Sequence, residues 1–157
     1  MSKEALSVLA SYFQKQLEIL ENIFQEIKPL RPLNENETVR TGYLLHNLYC
    51  AIEDLFLEVA RTFENRVEDP ARFHRDLLKR ISLDIAGIRP SLISEKSYSL
   101  LDELRRFRHV FRHAYDYQLE PERVEHLQKK ILAQWKLVQA DLEAFRAFLV
   151  SQIQRNG

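Results

Sequence analysis

Between Arg105 and Val124 the chain reads RRFRHVFRHAYDYQLEPERV. The first nine residues of this stretch hold four arginines and two histidines, and its first acid is Asp116. Arginine offers a planar fork of N–H donors that meets phosphate oxygens two at a time. Histidine titrates near neutrality and can move protons. Tyr115, two residues beyond His113, adds a hydroxyl that donates, accepts or takes a modification. These three groups suffice for RNA cleavage without a metal. The histidine would help a 2′-hydroxyl attack the adjacent phosphate or protonate the leaving oxygen, while the arginine holds the charge that builds on the phosphorane.

On a helix, positions three, four and seven apart share a face. Leu104, Phe107 and Phe111 take one face; Arg105, Arg108, His109, Arg112 and Asp116 crowd the other, with Arg106 and His113 on the flank. Arg108 and His113 stand roughly 140° apart on an ideal helix. A long arginine at a fraying helix end can reach round, more easily if a second subunit completes the cleft. Two other readings compete. Arginines on a helix face commonly form solvated ion pairs, here with Asp102, Glu103 or acids of the last helix, and cations suit a helix C-terminus. His109, His113 and Asp116 also have acceptable metal-ligand spacing, but Arg105, Arg108 and Arg112 surround them and would repel a cation. No metal is expected.

The rest of the sequence must position these groups. The chain has 157 residues, 45% hydrophobic and 29% charged, which suits one domain, residues 1–157, with a real core. Only 3 Gly and 5 Pro leave little turn chemistry for a β-rich fold, while Leu, Glu, Arg, Ala and Gln favour helix. The formal net charge is zero, which argues against a general basic coat for nucleic acid, so any contact must come from a local patch. No DNA binding is expected. Cys50 is the single cysteine, so no intrachain disulfide can form, and its apolar surroundings suggest a buried thiol. No signal peptide and no run near the ~20 apolar residues of a membrane span is seen. A cytoplasmic location is the expectation.

Apolar residues at helical spacing define five segments. Residues 3–28 form the first helix, stopped by Pro29 and Pro32. The second starts near Asn34 or Asn36 and runs to about Asn65, with Gly42 loosening its first turns. Asp69 and Pro70 open a short third helix with Phe73, Leu77, Leu78 and Ile81 inward. A loop around Gly87 and Pro90 follows. Ser94 or Ser97 caps the fourth helix, which should end near Tyr115. Pro121 starts the fifth, which reaches about Gln154 with Val124, Leu127, Ile131, Trp135, Val138, Leu142, Phe145 and Leu149 as its stripe. Short connections between long helices imply an all-α, antiparallel up-and-down bundle of four to five helices. Surplus apolar surface on the last two helices suits a dimer interface.

Other polar residues offer less. Glu53 and Asp54 read as a solvated face, with a buried acid orienting an arginine of the fourth helix as the alternative. His46 and His74 have no local partners and read as surface or satisfied polar groups. Tyr117 reads as core or rim.

The spacing Arg108, four residues, His113, one residue, Tyr115 resembles the R-x4-H-x-Y signature of the HEPN superfamily, in particular HepT-like toxins of type VII HEPN–MNT toxin–antitoxin pairs. The bundle of about this length, with the motif near the end of its fourth long helix, is similar as well. The resemblance implies a homodimer whose two motifs line a shared cleft, with Arg108 and His113 as the ribonuclease pair. Arg105, His109 and Arg112 would flank them as RNA- and phosphate-binding groups. Tyr115 would accept AMP from an MNT-type nucleotidyltransferase partner, which uses ATP; the added bulk and charge in the RNA cleft would neutralise the toxin. No cofactor of the chain's own is implied. The RNA would be tRNA or mRNA. The chain has no nucleotidyltransferase signature of its own, so it would be the substrate of that transfer. His109 departs from the pattern, because relatives often carry Asn or Asp directly after the motif arginine. Some members of the superfamily are non-catalytic modules that dock a nucleotidyltransferase, which is the alternative reading.

Overall fold

A computed structural model describes residues 1–64, 73–114 and 118–156. Its helices are α1 (Lys3–Ile27), α2 (Glu35–Glu64), α3 (Phe73–Ile81), α4 (Glu95–Arg112) and α5 (Pro121–Arg155). None of the described helices is long and apolar enough to cross a membrane.

Four long helices run up and down, and cross-bundle bonds set their directions. Gln16 Nε2 donates to the Ala51 carbonyl at 2.8 Å, joining the middles of α1 and α2. Gln128, near the start of α5, donates to the carbonyls of Ile27 and Leu30 at 3.0 and 2.7 Å. Those carbonyls lie where α1 ends and have no helical partner of their own. Arg146, near the other end of α5, reaches Gln14 of α1 at 2.9 Å. Lys130 of α5 pairs with Glu103 of α4 at 3.0 Å, while Asp141 accepts from Ser94 and Ser97 at the start of α4. α5 is therefore antiparallel to both α1 and α4. The short helix α3 leans on α2 and α4.

The apolar stripes meet in one core. All eight stripe residues of α5 are buried, as are Leu45, Leu48, Ile52, Leu55 and Val59 of α2 and Leu6, Leu9, Phe13, Leu20 and Ile27 of α1. Phe13 stacks on Phe145 and Phe24 on Trp135, with ring centroids 5.8 and 5.9 Å apart. Such burial is worth roughly 1.5–3 kcal/mol for each large apolar side chain.

Helix ends follow local chemistry. Ser2 caps α1 and Ser94 caps α4, each accepting from the backbone N–H three residues on. Asn34 Oδ1 accepts from the Glu37 N–H at 2.9 Å and so opens α2. Asp69 and Pro70, expected to open α3, lie outside the described residues. Gly42 does not loosen α2, which is helical straight through it. The missing side chain instead admits the ends of two other segments: a Cβ there would stand 3.1 Å from Leu119 Cδ1 and 3.3 Å from the Phe111 ring. Gly87 has φ +78°, a conformation that glycine adopts without strain. It turns the loop between α3 and α4 so that Arg89 points inward.

Arg89 is 3% exposed and pins that loop. Its Nη2 meets Glu64 Oε1 at 2.9 Å and the Arg80 carbonyl at 3.2 Å, and its Nη1 donates to the carbonyls of Leu83 and Pro90, both at 3.1 Å. Arg80 also reaches Glu64, at 2.9 Å. The end of α2, the end of α3 and the loop are thereby held by one buried carboxylate.

Candidate functional site

α4 carries the arginine-rich stretch along its solvent side. The helix ends at Arg112, three residues before the expected end, with His113 as C-cap at φ −106°, ψ 14°. Tyr115, Asp116 and Tyr117 lie outside the described residues, so the expectation of Tyr115 as an acceptor is not tested by the fold. His109, Arg112 and His113 are exposed. The His109 and His113 rings face each other with centroids 4.6 Å apart, as i, i+4 neighbours can. Among the described residues, no three metal-ligating side chains come together.

The arginines are not equivalent. Arg105 turns its Nε and Nη2 onto Asp102 Oδ1, at 3.0 and 2.8 Å. That edge of the guanidinium is the one that grips two oxygens side by side, and Asp102 already holds it. Arg106 is mostly exposed and lies 3.7 Å from the same carboxylate. Arg108 differs from both. Its Nη1 points at Nε2 of His74 on α3, 3.4 Å away. Its Nε is buried and has no hydrogen-bond acceptor among the described residues. An unpaired buried donor is costly.

Behind Arg108 lies a polar chain that sequence patterns did not reveal. Glu53, expected on a solvated face, is buried at 7% exposure. Both its oxygens lie 2.8 Å from His74 Nδ1. The correction has a tertiary cause: α3 and α4 cover the flank of α2 on which Glu53 stands. Its neighbour Asp54 does remain exposed. Tyr49, one turn earlier and 1% exposed, stands beside the same carboxylate. Burial, with the Glu53 charge adding to it, pushes the Tyr49 phenol far above the usual tyrosine range, so it stays a protonated donor. A faint signal was present in the sequence. His46, Tyr49, Cys50 and Glu53 fall at spacings of three and four, a polar stripe within an otherwise apolar helix.

His46 closes the site on the side of α2. Its ring lies 5.2 Å from Phe111. Cys50 Sγ is 3.7 Å from its Nε2, and the thiol is partly exposed, where burial was expected. Burial lowers the pKa of His46, a hydrogen bond with Asn47 opposes this, and the charges of Arg108 and Arg112 lower it further. A histidine depressed in the fold binds fewer protons there than in the unfolded chain, so stability rises with pH. The contribution of His46 is complete above the ordinary value of 6.5 and is lost as pH falls from there through the depressed value. Urea unfolding followed between pH 7 and 5 should show this loss, and His46→Gln should flatten it.

Residues 41–149 match the family model described as HepT-like protein. The chain belongs to the HepT-like family of the HEPN superfamily. Searches of curated proteins and of solved structures each returned no match. The HepT-like family is generally one of ribonuclease toxins. The matched segment contains α2 from Thr41 onward, all of α3 and α4, and most of α5. It therefore includes Glu53, His74, Arg108 and His113, whereas all of α1 lies outside it.

Proposed function

We propose that this HepT-like chain is the toxin of a HEPN–MNT pair, a metal-independent endoribonuclease working through Arg108 and His113. The observation that carries the reading is the Arg108 guanidinium, held by His74 through Nη1 and by no carboxylate among the described residues, on the helix where Arg105 is already taken by Asp102. A phosphate is the anion that an arginine fork fits.

In the proposed reaction the 2′-oxygen forms a bond to the adjacent phosphorus and the bond to the 5′-oxygen breaks. The products are a 2′,3′-cyclic phosphate and a free 5′-hydroxyl. His113 takes the 2′-proton or supplies one to the leaving 5′-oxygen, and Arg108 stabilises the phosphorane charge. Exposed His109 and Arg112, beside His113, bind flanking phosphates. Arg105, the third arginine expected in that role, is committed to Asp102 and contributes through the local positive potential. A second subunit in a homodimer would complete the RNA cleft. An MNT-type nucleotidyltransferase would silence the toxin by moving AMP from ATP to Tyr115, which places an anion where the RNA phosphate should sit.

The test is cleavage of end-labelled tRNA and an mRNA by unmodified protein in EDTA, beside His113→Ala. Cleavage by the parent protein that His113→Ala loses, with an unchanged melting curve, supports the reading. Cleavage equal in both, or none in either, refutes it; the second result leaves the chain as a module that docks its partner.

A further inference from the structure

Arg108 is held from behind, and the holder reaches into the core. Glu53 is buried and lies 2.8 Å from His74 Nδ1 through either oxygen. A carboxylate only accepts, so Nδ1 carries the hydrogen. In the neutral ring that leaves Nε2 as a lone pair, and Nε2 is the atom facing Arg108 Nη1 at 3.4 Å. The guanidinium has only N–H groups to offer, so the match works in this tautomer alone. The distance is long for a hydrogen bond, so the contact directs the side chain more than it neutralises it. With Nη1 turned to His74, the guanidinium is held from the α3 side, and its buried Nε has no acceptor among the described residues.

We infer that Glu53 and His74 form a positioning relay for Arg108: Glu53 sets the His74 tautomer, and His74 Nε2 orients the guanidinium that receives the RNA phosphate. This deepens the ribonuclease reading and rests on it for the identity of the ligand. Glu53 and His74 are positioning residues. His74 stands in the first turn of α3, and α3 is tied to α2 by Arg80 and Glu64, so the relay is built across three helices. The family signature in α4 contains neither residue.

Two measurements test it. Nitrogen-15 spectra of the imidazoles should show His74 as the Nδ1–H tautomer, and Glu53→Gln should weaken that preference. The Arg108 Nε–H signal, assigned by its loss in Arg108→Lys, should be ordered in the parent, mobile in His74→Ala and ordered again in His74→Gln. A glutamine amide can donate to Glu53 and accept from Arg108 at once, so its rescue separates positioning from simple loss of a side chain. In RNA cleavage, His74→Ala should lower kcat about 10²-fold, the cost of misplacing a reacting group. It should have little further effect in an Arg108→Lys background, and His74→Gln should recover most of the rate.

An Arg108 signal equally ordered in His74→Ala overturns the relay. So does an equal loss of kcat from His74→Ala in both backgrounds, because His74 would then act independently of Arg108. If the parent protein cleaves no RNA, the ribonuclease reading fails by itself, and the spectra still decide whether Glu53 and His74 hold Arg108.

Discussion

Arg108→Ala should lower RNA cleavage about 10²–10³-fold, the usual cost of removing a donor aimed at transition-state charge. The fold should tolerate the change. Arg108 is half-buried near the end of α4, and among the described residues its Nη1 meets His74 at a long 3.4 Å. Removing it also removes a buried Nε that lacks an acceptor, which offsets part of any lost packing. Arg105→Ala is the control. Its gripping edge is spent on Asp102, and the pair is an i, i+3 bridge with both side chains partly exposed. Its loss should change cleavage only a few-fold, by weakening the local positive field. Steady-state kinetics on one defined RNA, with melting curves for each variant, distinguish the two. Equal losses for both arginines would mean that the field of the helix matters and the placement of the Arg108 guanidinium by His74 does not.

The second large effect is on stability. Arg89→Ala should destabilise the protein by about 3–5 kcal/mol, the range for breaking a buried ion pair from one side. The Arg89 side chain is fully buried and that of Glu64 is 4% exposed. Alanine would leave the carbonyls of Leu83, Pro90 and Arg80 without this donor and Glu64 with only Arg80. The loop between α3 and α4 would then lose its anchor, and α3 would lose part of its tie to α2. Denaturant unfolding measures the loss. A cost below about 1 kcal/mol, the level of an exposed pair, would show that water replaces the arginine easily. Because α3 carries His74, the same variant links fold stability to the site.

Much of the architecture was legible in the chain. The spacing-three-and-four stripes of α1, α2 and α5 became the core because burying apolar area drives helices together, and short loops make neighbours antiparallel. Ser94 was readable as a cap because a serine before an apolar-periodic run has an N–H to accept. The last turn of α4 was less legible. The pattern allowed a helix to Tyr115, yet the described helix stops at Arg112, where helix ends are governed by contacts beyond the periodicity. Gly42 looked like a weak point in α2. Its meaning was set by Phe111 and Leu119, more than sixty residues away in the chain.

The sequence by itself determined the all-α class, the core stripes and the concentration of arginine and histidine on α4, because each rests on local periodicity and side-chain chemistry. Only the tertiary structure decided how Arg108 is held. Asp102, three residues before Arg105, offers that arginine a local partner, whereas the partner of Arg108 stands on another helix. The distinction comes from Asp102 lying beside one and from α3 bringing His74, backed by buried Glu53, against the other. Charges separated by tens of residues acquire partners only when the helices carrying them pack, and burial then turns an ordinary glutamate into the base of a fixed polar chain.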